Sequence, residues 1–375
     1  MTAIPEHAYA AALAGFERMT IKRLAILLAH DPPSRAYAVA AGEVRPSGLV
    51  DRLLDNAGLA AAWRRSACQR PAEVVWDRCR QLDIEVVLPS DVGFPACLLN
   101  DPEPIPVLFV KGRLRQLTNR RVGIVGTRNA TAIGREMAAM LGRELSRNGV
   151  HVVSGLARGV DGYAHRGALA QPAGAGPLAV VASGLDVVYP REHAKLWDAV
   201  AERGAIVSEA PPGTPPEAYR FPLRNRILAA LSEVLVVVES RDRGGSLITV
   251  EAARERGIPV MAVPGSLRNR AAEGTNALVR DGCPIVTETR DVLVALGLDT
   301  SRAGGVAYDP RPRPKGLDRD LLALCREPRT MEECMARTGL SLVECAMSLG
   351  RLEATGWVRQ VDGWFERSTS WIDSL

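Results

Sequence analysis

The stretch GIVGTRNATAIG, residues 123–134, reads as an apolar strand that runs through a glycine-rich turn into a helix. The first backbone N–H groups of a helix lack partners within it and sit at the positive end of its dipole, so such a turn attracts an anion. Thr127, Arg128 and Thr131 add side-chain donors around Gly126 and Gly134. Phosphate suits this set, and what is missing narrows which phosphate. The spacing is not GxGxxG, and the next strand ends Ser154-Gly155-Leu156 with no acid to hold a ribose hydroxyl, which disfavours a dinucleotide. No Gly-Lys dipeptide occurs anywhere, so a Walker A loop, and ATP hydrolysis by that route, are excluded.

Similar loops recur where later strands should end. Ser154-Gly155-Leu156-Ala157-Arg158-Gly159 is one, Tyr189-Pro190-Arg191 with Lys195 beyond it another; Arg224-Asn225-Arg226 precedes a strand, and Gly244-Gly245-Ser246-Leu247-Ile248-Thr249 follows one. Each brings amides, hydroxyls or arginine to one edge of a sheet. A mononucleotide needs one such loop, whereas a row of them suits a polyanion whose charges recur along a groove. Any single arginine here serves as readily in a local ion pair; the set points to a track. Of 47 basic residues only Lys22, Lys111, Lys195 and Lys315 are lysine. Arginine is the better bidentate partner for phosphate, although an Ala- and Arg-rich chain also reflects a GC-rich genome.

Catalytic patterns are weaker. Asp161 and His165 lie four apart on one helix, and Glu251 is the one carboxylate close to a phosphate-type loop. GGSLITVE loosely imitates the PGGxGTxxE loop of nucleoside-monophosphate phosphoribohydrolases, with one residue too many and no preceding proline; that enzyme class is the alternative reading. No GxSxG elbow is present. Cys68, Cys79, Cys97, Cys283, Cys325, Cys334 and Cys345 show no metal-ligand spacing, and no two histidines are three to five apart. We therefore expect no catalytic residue, no metal, no cofactor and reduced thiols.

The elements that must position these loops follow from periodicity. At 375 residues, 47% apolar and 24% charged, the chain is a globular protein of more than one domain. Its longest apolar runs fall far short of the ~18 residues needed to span a bilayer. The first twenty residues lack the layout of a signal peptide, so a cytoplasmic protein is expected. Residues 1–83 read as short helices broken at Asp31-Pro32-Pro33 and Arg45-Pro46. Residues 84–297 alternate strand and helix, with expected strands at Arg121–Gly126, Val150–Gly155, Leu178–Ser183, Ala205–Glu209, Val234–Glu239, Pro259–Val263 and Pro284–Val286. Their consecutive apolar residues imply a parallel sheet covered on both faces. The fold class expected is α/β, an extended Rossmann-like doubly wound sheet. Residues 298–315 read as a linker, and 316–375 as three helices and a hairpin around Asp362-Gly363, a winged helix with Trp357 and Trp364 in its core.

In order along the chain, FPACLLNDPEPIPVLFVKG, VGIVGTRNATAIG, VVSGLARGVDGYAHRGAL, GLDVVYP, SEAPPGTPP, FPLRNRI, GGSLITVEAA, VPG and GTNALVRDG resemble the DNA-processing protein A (DprA, also Smf) family over residues ~94 to 287. The resemblance implies a non-enzymatic binder of single-stranded DNA that dimerises through its Rossmann-like domain. It further implies protection of incoming DNA in natural transformation and loading of a RecA-type recombinase. By the same resemblance Arg128 is a principal phosphate contact, with Gly126, Thr127, Ser154, Gly155, Arg191, Lys195, Arg226 and Ser246 lining the groove; the loop reading adds Gly134, Arg158, Arg224, Gly245 and Thr249. The helical start looks like the family's sterile-alpha-motif-like domain, without its glycine-rich hairpin. His193 stands where the family usually has asparagine. The final helix of the winged unit, Leu342–Ala354, carries Glu344, Arg351 and Glu353, a charge pattern suited to a protein contact and not to a DNA groove.

Overall fold

The computed structural model describes residues 4–29, 31–54, 58–113, 119–298, 311–312 and 314–368. They divide into two compact units, 1–298 and 299–375. The expected linker 298–315 lies largely outside the described residues.

The first unit is built on an eight-stranded sheet in the order β1-β2-β6-β5-β4-β3-β7-β8. Its strands are β1 (Glu85–Val87), β2 (Leu108–Gly112), β3 (Arg121–Val125), β4 (His151–Ser154), β5 (Leu178–Val180), β6 (Ala205–Ser208), β7 (Val234–Val237) and β8 (Val260–Ala262). Strands β3 to β8 are parallel, while β2 runs antiparallel to β6 and β1 antiparallel to β2. The chain winds outward from β3 through β4, β5 and β6, then crosses back to lay β7 on the other side of β3. The topological switch point, where such sheets hold ligands, is thus at the carboxyl ends of β3 and β7.

Alternation along the strands sorts side chains between two faces. Leu108 and Val110, Leu178 and Val180, and Ala205 and Val207 pack with helices Arg220–Ala230 and Ser246–Glu255. On the opposite face, Val122, Ile124 and Val152 meet the long helix Ala132–Arg147 and helix Val160–Leu169. That same face, farther along the sheet, is covered by the amino-terminal helices: Leu13, Trp63 and Cys79 share one core with Val86, Phe109 and Ile206. The boundary expected at residue 83 therefore falls inside a continuous core, and the helical segment belongs to the same compact unit as the sheet.

Two elements differ from the sequence reading. Pro33 begins a helix, Pro33–Ala41, in place of breaking one, because proline at the first helical position lacks only an N–H that would be unpaired anyway. The strand expected at Pro284–Val286 reduces to a single bridge between Ala262 and Ile285. The Pro284 carbonyl accepts from the Ala262 N–H at 3.0 Å, but proline has no N–H to extend the ladder.

The second unit has helices Leu317–Leu324, Met331–Thr338 and Leu342–Ala354 and a small antiparallel sheet of β9 (Arg329–Thr330), β11 (Trp364–Arg367) and β10 (Val358–Val361), in the order β10-β11-β9. Asp362 and Gly363 at the hairpin tip have φ of 49° and 83°, the doubly left-handed turn that an Asp-Gly pair favours. Strand β9 was not legible at two residues. Trp357 is buried in this core, but Trp364 is 45% exposed, contrary to expectation: on a strand of alternating faces the adjacent Phe365 takes the inward position.

Candidate functional site

A cleft of about 620 Å3 opens at the switch point. The turn after β3 contributes Gly126, Thr127 and Arg128. The loop after β7 contributes Arg241, Arg243, Gly244, Gly245 and Ser246, followed by Thr249, and helix Arg220–Ala230 presents Phe221, Arg224 and Asn225. Arg128 is exposed, with its guanidinium 4.9 Å from the centroid of the Phe221 ring. Phe221 in turn lies 5.5 Å from Tyr189, tilted at 50°. This gives a partly exposed aromatic surface with a cation over one end. Among the described residues, Arg128, Arg241 and Arg243 form no ion pair.

Arg224 lies deeper, only 6% exposed. It donates through Nη1 to the Val180 carbonyl, and its buried Nε has no hydrogen-bond partner among the described residues. Burial lowers its pKa to about 10. Asp161 is the one carboxylate among the described lining residues; burial pushes its pKa upward, and its Oδ2 accepts the Gly155 N–H at 3.1 Å. A Cβ on Gly155 would lie 2.3 Å from Nη1 of Arg224 and 2.6 Å from Oδ2 of Asp161, so glycine is required for the two side chains to converge there. Arginine thus predominates over carboxylate on the cleft wall, and a concave low-dielectric wall concentrates that positive field.

The structure places other expected residues elsewhere. Ser154 is fully buried and donates its hydroxyl to the Ile124 carbonyl at 2.6 Å, so it joins strands and faces no ligand. Arg226 is 4% exposed and held by Glu209 and by Glu103, the latter at 3.1 Å; its role is structural. Arg158 is exposed and paired with Glu192. Arg191 and Lys195 are exposed on the short helical turn Arg191–His193 and the start of helix Ala194–Arg203, apart from the cleft lining. Glu251, the foothold of the enzyme alternative, is exposed, paired with Arg254 at 3.1 Å, and absent from the cleft wall.

The helix start itself corrects the sequence reading most. Its anion position is taken by the protein's own Glu239, at the end of the β7 segment. The carboxylate accepts from the Thr131 N–H at 2.9 Å and the Thr131 hydroxyl at 2.6 Å, while the Glu239 carbonyl accepts from the Thr127 N–H at 2.7 Å. Thr131 also caps the helix, accepting from the Gly134 N–H at 3.0 Å. A Cβ on Gly134 would lie 2.3 Å from the Glu239 carboxyl carbon, so this glycine makes room for an internal acid instead of a ligand. Arg241 and Arg243 were overlooked, although their place directly after a strand could have found them by the same rule that found Arg128.

Beneath the cleft His165 is fully buried, and burial lowers its pKa to about 3. A histidine depressed in the folded state contributes stability that is complete above its unfolded pKa and lost as pH falls toward the folded value. We therefore expect stability to fall from about pH 6.5 downward by up to ~1.4 kcal/mol per pH unit from this group. Urea denaturation at pH 7 and pH 5 checks this: His165→Gln should show a smaller loss between the two than the wild-type chain, and an equal loss would refute it.

A Rossmann-like sheet with an arginine-walled, partly aromatic cleft at its switch point defines an anion-binding protein of the phosphate-recognising kind. The family model of DNA recombination-mediator protein A matches residues 85–297. Protein Smf of Escherichia coli is 37% identical over 289 residues, covering 75% of this chain and 77% of that protein. The DNA processing protein DprA of Bacillus subtilis is 39% identical over 218 residues, 58% of this chain and 73% of its own length. Among solved structures, DNA processing protein A of Streptococcus pneumoniae superposes with a TM-score of 0.65 at 28% identity, over 78% of this chain and 98% of that one. The Helicobacter pylori protein, described for its single-stranded DNA binding mode, gives a TM-score of 0.52 at 28% identity, over 58% and 96% respectively. The chain belongs to the DNA recombination-mediator protein A family, whose members are DNA-processing proteins of recombination. No helix among the described residues is long and apolar enough to cross a membrane.

Proposed function

We propose that the cleft binds the backbone of single-stranded DNA, with Arg128, Arg241 and Arg243 as phosphate contacts, Arg224 behind them and the Tyr189–Phe221 pair as the surface for a base. The observation that carries this reading is the group of arginines without ion pairs, set beside exposed aromatic rings at the switch point. Arginine at a site of this kind serves phosphate and ring stacking together. The Helicobacter pylori relative, described as binding single-stranded DNA, supports the same ligand here.

On this reading the protein is a non-enzymatic mediator acting in the cytoplasm. It works as a homodimer through the Rossmann-like domain, shields incoming strands and passes them to a RecA-type recombinase. The final helix of the second unit fits a protein contact better than a DNA groove. Leu342, Val343 and Met347 are exposed on it, and Arg351 is engaged by Asp318 at 2.7 Å.

Fluorescence anisotropy with a labelled oligothymidylate across a salt series tests the ligand. Affinity should fall with a slope of about 0.7 per phosphate bound, and unlabelled oligonucleotide should displace the label far better than AMP at equal phosphate concentration. Equal competition by AMP would overturn the reading.

A further inference from the structure

Glu239 occupies the place where a Rossmann-like turn ordinarily receives phosphate. Its carboxylate is held by the amide and hydroxyl of Thr131, at 2.9 and 2.6 Å, and approached by the Asn269 side-chain amide at 3.5 Å. The residue is 6% exposed. Its own carbonyl ties down the Thr127 amide at 2.7 Å, so one residue brackets the Thr127–Thr131 turn from both ends. Gly134 leaves the space its carboxyl group fills. An acid so placed satisfies the donors that a nucleotide phosphate would use and repels any phosphate that approaches them.

We propose that Glu239 is a specificity-determining and positioning residue: it stands in for phosphate at the helix start, so that the turn cannot hold a single nucleotide and presents only Arg128 to the cleft. A lone phosphate then finds no encircling seat, and useful affinity requires several phosphates in series, which a strand supplies. This inference rests on reading the cleft as a DNA-binding site, but its first test does not depend on DNA.

The full chain and its Glu239→Ala and Glu239→Gln variants are compared by calorimetric titration with AMP and by thermal melting with and without inorganic phosphate. Vacating the seat should raise AMP affinity by roughly tenfold or more, the scale of regaining charge-assisted hydrogen bonds. Inorganic phosphate should raise the melting temperature of Glu239→Ala clearly more than that of the wild-type chain. Glu239→Gln, which keeps the seat filled, should show neither gain. If Glu239→Ala is too unstable to titrate, phosphate-dependent recovery of its melting transition remains the readout. No AMP gain and no phosphate-dependent recovery overturn the proposal, as does an equal AMP gain in Glu239→Gln. Oligothymidylate binding by the wild-type chain, measured in parallel, separates the two readings: its absence would sink the DNA cleft while leaving the result at Glu239 to stand or fall alone.

Discussion

Arg128→Ala will weaken binding to unrelated single strands about equally, by roughly 10- to 100-fold, and will flatten the salt dependence by about 0.7. The size follows from losing one charge-assisted contact of ~1.5–3 kcal/mol, and the uniformity from a contact to backbone and not to base edges. Arg128 is suited to this because it is exposed, has no ion pair among the described residues to break first, and rests over Phe221 at 4.9 Å. Arg128→Lys should retain the salt slope and recover only part of the affinity, since an ammonium keeps the charge but not the planar fork. Anisotropy titrations at three or more salt concentrations provide both quantities. An unchanged slope with unchanged affinity would remove Arg128 from the site.

Arg226→Ala will produce the opposite pattern. Its guanidinium is buried between Glu209 and Glu103, and removing it strands the Glu209 carboxylate, whose pKa burial already raises to about 7. Breaking a buried pair from one side costs ~3–5 kcal/mol, so the urea midpoint should drop sharply. Oligonucleotide affinity per folded molecule, and the salt slope, should stay at the wild-type values. A normal urea midpoint with a reduced salt slope would restore Arg226 to the DNA track and contradict its structural assignment.

The contrast between these two arginines marks what the sequence can carry. Arg128 was legible because a strand, a glycine-rich turn and a helix are contiguous, and local rules place its side chain at the sheet edge. The alternating apolar strands likewise announced a sheet buried on both faces, and Asp362-Gly363 announced the hairpin. Arg224 and Arg226 look equivalent in FPLRNRI, yet Arg224 reaches the cleft wall while Arg226 is enclosed by two acids distant in sequence. No local pattern decides between those fates. Glu239 is a similar case: it caps a helix start 108 residues before it, a relation that exists only once β3 and β7 lie side by side. The shared core of the helical segment and the sheet was hidden for the same reason, since composition marks a change in texture at residue 83 but not which faces meet.

The most direct test is to locate the bound strand. An oligonucleotide substituted with 5-iododeoxyuridine, irradiated in complex with the full chain and mapped by mass spectrometry, should label Tyr189 or Phe221, the aromatic residues beside Arg128. Labelling confined to the second unit, at Trp357 or Trp364, would contradict a DNA-binding cleft at the carboxyl ends of β3 and β7.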